Sequence, residues 1–198
     1  EARRKIEDIN KQELESLPKN LHILYSIQYK ELAYTISSYL KEKGHKIMRI
    51  EQVLGCSIIK PKADLLLIGS GRFHAVSIAF SSGKPVYIYD NKLARISEEE
   101  ILSYKRKEQG KLAKFYSSNN IGLIISSKPG QNKDGEKIIQ SLKRKYPSKK
   151  FYLFLADNIN LQELENFNID FWLNTACPGL ELDSNNIINY QKVIRANN

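Results

Sequence analysis

The sequence predicts an α/β protein made of two small parallel-sheet domains related by a repeated strand–helix cycle. Three observations carry that prediction. Short apolar runs of strand length alternate with longer amphipathic runs of helix length. The alternation restarts after its first few turns, and one long charged segment, 97–118, separates the two rounds. Strands joined through helices pair in parallel by right-handed crossovers, so each round describes its own sheet. A single doubly wound sheet is the alternative arrangement.

The elements follow in order. The opening "EARRKIEDINKQELESL" is charged and amphipathic, and residues 1–20 form an amino-terminal helical extension. "LHILYSI" (21–27) is a buried strand. "KELAYTISSYLKEKG" (30–44) is a helix with Leu32, Ile36, Tyr39 and Leu40 on one face and Gly44 at its end. "HKIMRI" (45–50), "ADLLLIG" (63–69) and "KPVYIYD" (84–90) are the next three strands, with a short helix in "GRFHAVSIAFSSG" between the last two. The helix 97–118 opens with Ser97 and three glutamates, an N-cap followed by acidic residues suited to the helix dipole. The second round runs through strand 120–127, helix 134–147 stopped at Pro147, strand 149–157, short helix 160–167 and strand 169–177. The domains are therefore 21–110, carrying Cys56, and 111–198, carrying Cys177.

Composition bounds the function. A hydrophobic content of 41% suffices for a core, and no apolar run approaches the roughly 20 residues that span a bilayer. With no apolar signal segment at the start, the expected location is the cytoplasm. The chain begins at Glu1 rather than a methionine, which reads as a fragment or a processed form. The net charge of +9 fits either an RNA partner or solvated lysine-rich helix faces, and the scatter of the lysines favours the latter.

Two cysteines rule out a disulfide-rich scaffold. Cys56, in "EQVLGCSII", follows the strand 45–50, and Cys177, in "TACPG", follows the last strand. In open parallel sheets ligands collect beyond the carboxyl ends of the strands, so the two thiols are expected to face one shared crevice. Buried structural thiols are the plain reading. Four chemical readings compete with it. Structural zinc is disfavoured because His22, His45 and His74 lack metal-ligand spacing. A redox disulfide and a Cys177–His74 catalytic pair have no local support. An iron–sulfur site needs thiolates, and a Cys-Pro pair suits a cluster ligand because the ring fixes the backbone and removes an N–H.

A second constellation is "IGSGRFHAV" (68–76). Gly69 and Gly71 stand between a buried strand and a helix, where backbone amides can approach an anionic group. It lacks the third glycine of a dinucleotide fingerprint, and a tight strand-to-helix turn explains it equally well. "SSKPGQNKDG" (126–135), with Gly130 and Gln131, is a second such loop and is not a Walker loop.

Taken together, "QVLGC", "ADLLLIGSGRFHAV", "KPVYIYD", "IGLIISSKPGQ" and "FWLNTACPGLELD" resemble the diphthamide-synthesis enzymes, 2-(3-amino-3-carboxypropyl)histidine synthases, of archaeal type. The resemblance extends from about Leu21 to the carboxyl end. It implies a fold of three related α/β domains, each giving one cysteine to a 4Fe–4S cluster. It also implies cleavage of the Cγ–S bond of S-adenosylmethionine, with the 3-amino-3-carboxypropyl radical attacking a histidine of translation elongation factor 2. By that resemblance Cys56 and Cys177 are the second and third cluster ligands. Gly69, Ser70, Gly71, His74 and Gln131 are substrate-binding, with Gln131 near the amino-acid part of S-adenosylmethionine.

The family's first domain and first cysteine have no counterpart in this sequence. The resemblance therefore implies a truncated chain, a homo- or hetero-dimer partner that carries the missing ligand, or a homologue without activity. The alternative from a different class is a non-catalytic binding subunit that supports a catalytic partner or binds RNA.

Overall fold

The computed structural model describes residues 10–54, 57, 59–128 and 134–196. The chain divides into two compact units, Glu1–Lys105 and Arg106–Asn198, each with its own mostly parallel sheet. The α/β class with two parallel-type sheets is as the sequence predicts.

The first unit begins with α1 (Lys11–Glu15), capped by the Asn10 side chain, which accepts from the Glu13 N–H. Leu14 and Leu17 are buried in the first unit's core, so this charged segment is anchored by two apolar side chains. There follow β1 (Asn20–Tyr25), a short 3-10 turn (Ile27–Tyr29), α2 (Lys30–Glu42), β2 (Lys46–Gln52), β3 (Asp64–Ile68), α3 (Arg72–Ser82), β4 (Val86–Asp90) and β5 (Lys92–Arg95). The sheet order is β2-β1-β3-β4-β5. All pairs are parallel except β4 with β5.

Helices cover both faces of this sheet, and so the interiors of its central strands are apolar except for His22 rather than alternating with polar residues. The period of two is still visible in where they point. Leu66 and Ile68 of β3 join the cluster under α1 and α2, while Leu65 and Leu67 join the cluster under α3. The antiparallel β5 was not foreseen. Asn91, at φ +65°, turns the chain straight out of β4, and a four-residue strand leaves little periodicity to read.

A single helix, α4 (Glu98–Ser117), spans the division between the units. Its amino end is a capping box. The Glu100 N–H donates to Ser97 Oγ, and the Ser97 N–H donates to Glu100 Oε2 at 2.9 Å. Glu100 also takes a two-point hydrogen bond from Arg72, the first residue of α3, at 2.5 and 3.0 Å. At the other end, Lys149 donates to the Tyr116 and Ser118 carbonyls and lies over the Phe115 ring. A cation there satisfies carbonyls the helix leaves free and complements its dipole.

The second unit holds β6 (Asn120–Ser126), α5 (Gly135–Lys145), β7 (Lys150–Ala156), α6 (Leu161–Leu164), β8 (Phe171–Asn174), a 3-10 turn (Pro178–Leu182), β9 (Ile187–Asn189) and α7 (Tyr190–Arg195). Its sheet, β7-β6-β8-β9, is parallel throughout. One face packs Phe115, Ile121, Leu123, Phe171 and Leu173 under α4, α5 and α7, and the other packs Trp172 against Phe154 and Phe167. The strand expected over 169–177 is shorter, ending at Asn174, and β9 and α7 beyond it were not foreseen.

Two expected outcomes follow from this packing. Gly122 lies opposite Trp172 in the β6–β8 register, and a Cβ there would stand 2.3 Å from the indole ring. Gly122→Ala should therefore lower stability by about 1–3 kcal/mol, the usual cost of overpacking, read as a lower urea midpoint. The capping box gives the second. Ser97→Ala should cost about 1 kcal/mol. The Arg72 guanidinium, followed by the Ser97 N–H, holds the Glu100 carboxyl at about 2 instead of 4.5. A depressed carboxyl pKa stabilises the fold above the unfolded value and ceases to do so as pH falls through the folded one. The stability gap between wild type and Glu100→Gln should thus be full above pH 4.5 and close toward pH 2. Denaturation midpoints across that range measure it.

Candidate functional site

The described candidate residues, Gly69, Ser70, Gly71, His74 and Cys177, lie on segments that follow the carboxyl ends of β3 and β8. In the first unit the adjacent strands β1 and β3 come close at that edge. The Ser26 N–H donates to the Ile68 carbonyl, and a Cβ on Gly69 would lie 2.9 Å from Ser26 Oγ. Gly69 is needed for this approach. Gly71 is needed for another reason: it caps α3 at φ +112°, a conformation side chains disfavour. No side chain caps α3, and the Gly71 carbonyl receives the His74 N–H at 2.9 Å. An eleven-residue helix whose first amides lack a side-chain acceptor favours an anion at that end.

The start of α3 is fixed from one side. Arg72 is held by Glu100, and Phe73 packs on Tyr104 with ring centroids 5.3 Å apart. Ser70 is exposed and His74 is half-buried, so neither is a core residue. The two core histidines are the other pair. His22 Nε2 lies 3.0 Å from Glu51 Oε1, with burial pushing the ring's pKa down, and His45 Nδ1 lies 3.0 Å from the Pro18 carbonyl. Both are near the amino ends of their strands, away from the candidate loops. A recess of about 450 Å³ opens at that same end, lined by Lys19, Lys46, Met48 and Lys62 among others, and includes none of the candidate residues.

The chain after β2 turns at once. The Val53 N–H donates to the Tyr25 carbonyl, the Leu54 N–H to Ser57 Oγ, and the Ser57 N–H to the Leu54 carbonyl. Cys56 and Gln131 lie outside the described residues, and with them the expectation that the two sulfurs face one cavity bordered by His74 and Gln131.

The second unit carries the thiol that is described. Cys177 is free and exposed, three residues past β8, and begins the 3-10 turn Pro178–Leu182. The strand stops at Asn174 because its side chain captures the chain. Oδ1 accepts from the Ala176 N–H at 2.9 Å, an Asx turn, and Nδ2 donates to the Cys177 carbonyl at 2.8 Å. Gly179 leaves space beside the sulfur, for a Cβ there would sit 3.6 Å from Sγ.

Charged groups hold the turn from below. Buried Glu181 accepts from the Asn189 N–H at 3.1 Å and pairs with Lys192 at 2.9 Å. Lys192 also pairs with Glu108 of α4, and Lys111 donates to the Glu181 carbonyl. Burial pushes the Lys111 pKa down, with Glu181 opposing it. Sequence reading missed Asn174, Glu181, Asn189 and Lys192. An Asn two residues before a backbone turn was the one local signal, since the other three act from distant positions.

Among the described residues no group of three His, Cys, Asp or Glu side chains is gathered for a metal ion. Cys177 does fit a cluster ligand. It offers a soft donor, it is solvent-accessible, its backbone is fixed, and the space beside Sγ is open.

The family model for diphthamide synthesis proteins matches residues 2–194. The 2-(3-amino-3-carboxypropyl)histidine synthase of Methanocaldococcus jannaschii is 31% identical over 185 residues, covering 89% of this chain and 49% of that protein. The synthase of Pyrococcus horikoshii is 27% identical over 185 residues, covering 86% and 54%. The chain spans about half the length of the curated relatives it matches. Crystal structures of Dph2 from Pyrococcus horikoshii, one of them with a 4Fe–4S cluster, superpose with a TM-score of 0.79 over 93% of this chain. They cover 59% and 58% of those chains at 24% sequence identity, a likeness of fold. With the family model matched over nearly its whole length, this chain belongs to the diphthamide synthesis protein family.

Proposed function

We propose that this chain is the cluster-holding part of a 3-amino-3-carboxypropyl transferase of diphthamide synthesis, with Cys56 and Cys177 as two of three ligands to a 4Fe–4S cluster. The observation that carries this is Cys177, an exposed free thiol on a braced turn at a strand's carboxyl end, in a chain of this family. The Pyrococcus horikoshii structure with a 4Fe–4S cluster supports the choice of cofactor. Cys56 and Cys177 would hold the cluster as thiolates, and once reduced by an external one-electron donor it would supply the electron for cleavage of the Cγ–S bond of S-adenosylmethionine.

The chain's own residues bind and orient. The Gly69 N–H is taken by the Tyr89 carbonyl, so the amides offered to an anionic group such as a carboxylate are those of Ser70, Gly71 and the start of α3, and half-buried His74 lies in that helix's first turn. Gln131 is assigned to the amino-acid part of the same substrate. The acceptor is a histidine of translation elongation factor 2. The third thiolate lies outside residues 1–198, in a further part of the same polypeptide or in a partner chain that carries the family's first domain. Three protein thiolates leave one iron open to substrate.

Iron and sulfide content after anaerobic reconstitution tests this, for the chain alone and with an amino-terminal partner. Cys56→Ala and Cys177→Ala should each lower iron by more than half. Addition of S-adenosylmethionine and dithionite should then yield 3-amino-3-carboxypropyl products. Unchanged iron in either variant would remove that cysteine from the ligand set. Full iron loading without any such product, partner included, would assign the chain a supporting, non-catalytic role.

A further inference from the structure

We propose that Asn174 and Asn189 are positioning residues for Cys177, holding its backbone in the ligand conformation before any metal arrives. The proposal rests on the reading of Cys177 as a cluster ligand. Its basis is a pair of side-chain amides on adjacent strands. Asn174 ends β8 and Asn189 ends β9, and they are register partners. Asn174 is 2% exposed. Its Nδ2 donates to the Cys177 carbonyl at 2.8 Å and to Asn189 Oδ1 at 2.7 Å, while Oδ1 accepts from the Ala176 N–H. Asn189 in turn donates from Nδ2 to the Pro178 carbonyl at 3.3 Å, and its own N–H is held by Glu181.

The bonds fall on three peptide groups that flank Cys177, one before it and two after it. The 175–176 peptide is held through its N–H, and the 177–178 and 178–179 peptides through their carbonyls. Pro178 has no N–H, so the peptide that joins it to Cys177 can be fixed only through the Cys177 carbonyl. Asn174 takes that carbonyl, and the Leu180 N–H shares it at 3.1 Å. An exposed sulfur on a turn would otherwise sample many positions. Here Asn174 holds the chain on both sides of Cys177, at the Ala176 N–H and at the Cys177 carbonyl, which narrows the positions the sulfur can reach. Outer partners of this kind orient metal ligands, and their loss typically lowers metal affinity about 10–100-fold.

A bracket that served only the sheet would matter to stability and not to the ligand. The test compares Asn174→Ala and the milder Asn189→Ala with Ile121→Val, a core change in the same unit that touches none of these groups. In the apo chain the Leu180 amide should exchange with deuterium at least about tenfold faster in both Asn variants and at the wild-type rate in Ile121→Val. In the anaerobically reconstituted complex, iron should pass to a chelator about 10–100-fold faster from the Asn variants, again with Ile121→Val unchanged. Should Asn174→Ala not fold, Asn189→Ala carries both measurements. Wild-type exchange at Leu180, or iron release no faster than in Ile121→Val, would overturn the proposal. Retention of full iron by Cys177→Ala would instead overturn the ligand reading, and the bracket with it.

Discussion

Parallel pairing is the constraint on which the rest of this molecule depends. Strands that run the same way finish on the same edge, so each unit delivers its strand-to-helix segments to one side and its helix-to-strand segments to the other. β1 and β3 send Ser26 and the Gly69–Gly71 turn to one edge of their sheet. β8 delivers Cys177 beyond the edge at which the parallel β6 also ends. Residues far apart in sequence emerge side by side because direction, not distance along the chain, decides where they emerge. The same constraint requires apolar cover on both sheet faces, which is why so few polar residues lie inside either sheet.

Among the described residues, Ser126, Asn174 and Glu181 are buried polar residues at or beyond the carboxyl ends of strands. Asn174 spends its hydrogen bonds on backbone groups and the Asn189 side chain, and Glu181 on a backbone group and an ion pair. Unpaired, either would cost more than it contributes, so their presence makes sense only as part of a connected set. That set runs from the Cys177 carbonyl through Asn174 and Asn189 to Glu181, and through Lys192 to Glu108 on α4. A turn that looks like a surface loop is therefore tied to the core of its unit.

Much of this was legible in the sequence, for identifiable reasons. The runs "ADLLLIG" and "IGLIISS" read as buried strands because both faces of a parallel strand are covered, and β3 and β6 lie there. Ser97 announced the start of α4 because a capping box is local, with both partners within four residues. The glycine pair 69 and 71 was legible as a turn for the same reason. What failed is what depends on distant partners or very short elements. β9 has three residues and no alternation to detect, yet it supplies Asn189. Strand β8 stops three residues earlier than the apolar pattern suggests, because the Asn174 side chain competes for the backbone and wins.

On the function proposed above, the two described loops would hold their ligands in opposite ways, and the difference follows from what each would hold. An anion needs donors, and the backbone supplies them wherever a helix begins without a cap. Gly71, at the N-cap position, has no side chain to close the amino end of α3, and Arg72 and Phe73 fix the helix from the side. A thiolate ligand carries its own donor atom, so the backbone beneath it must be silent and fixed. Pro178 removes an N–H, Asn174 occupies the carbonyl, and Gly179 keeps a side chain away from the sulfur. One loop exposes its peptide groups, and the other hides them so that a single sulfur is presented.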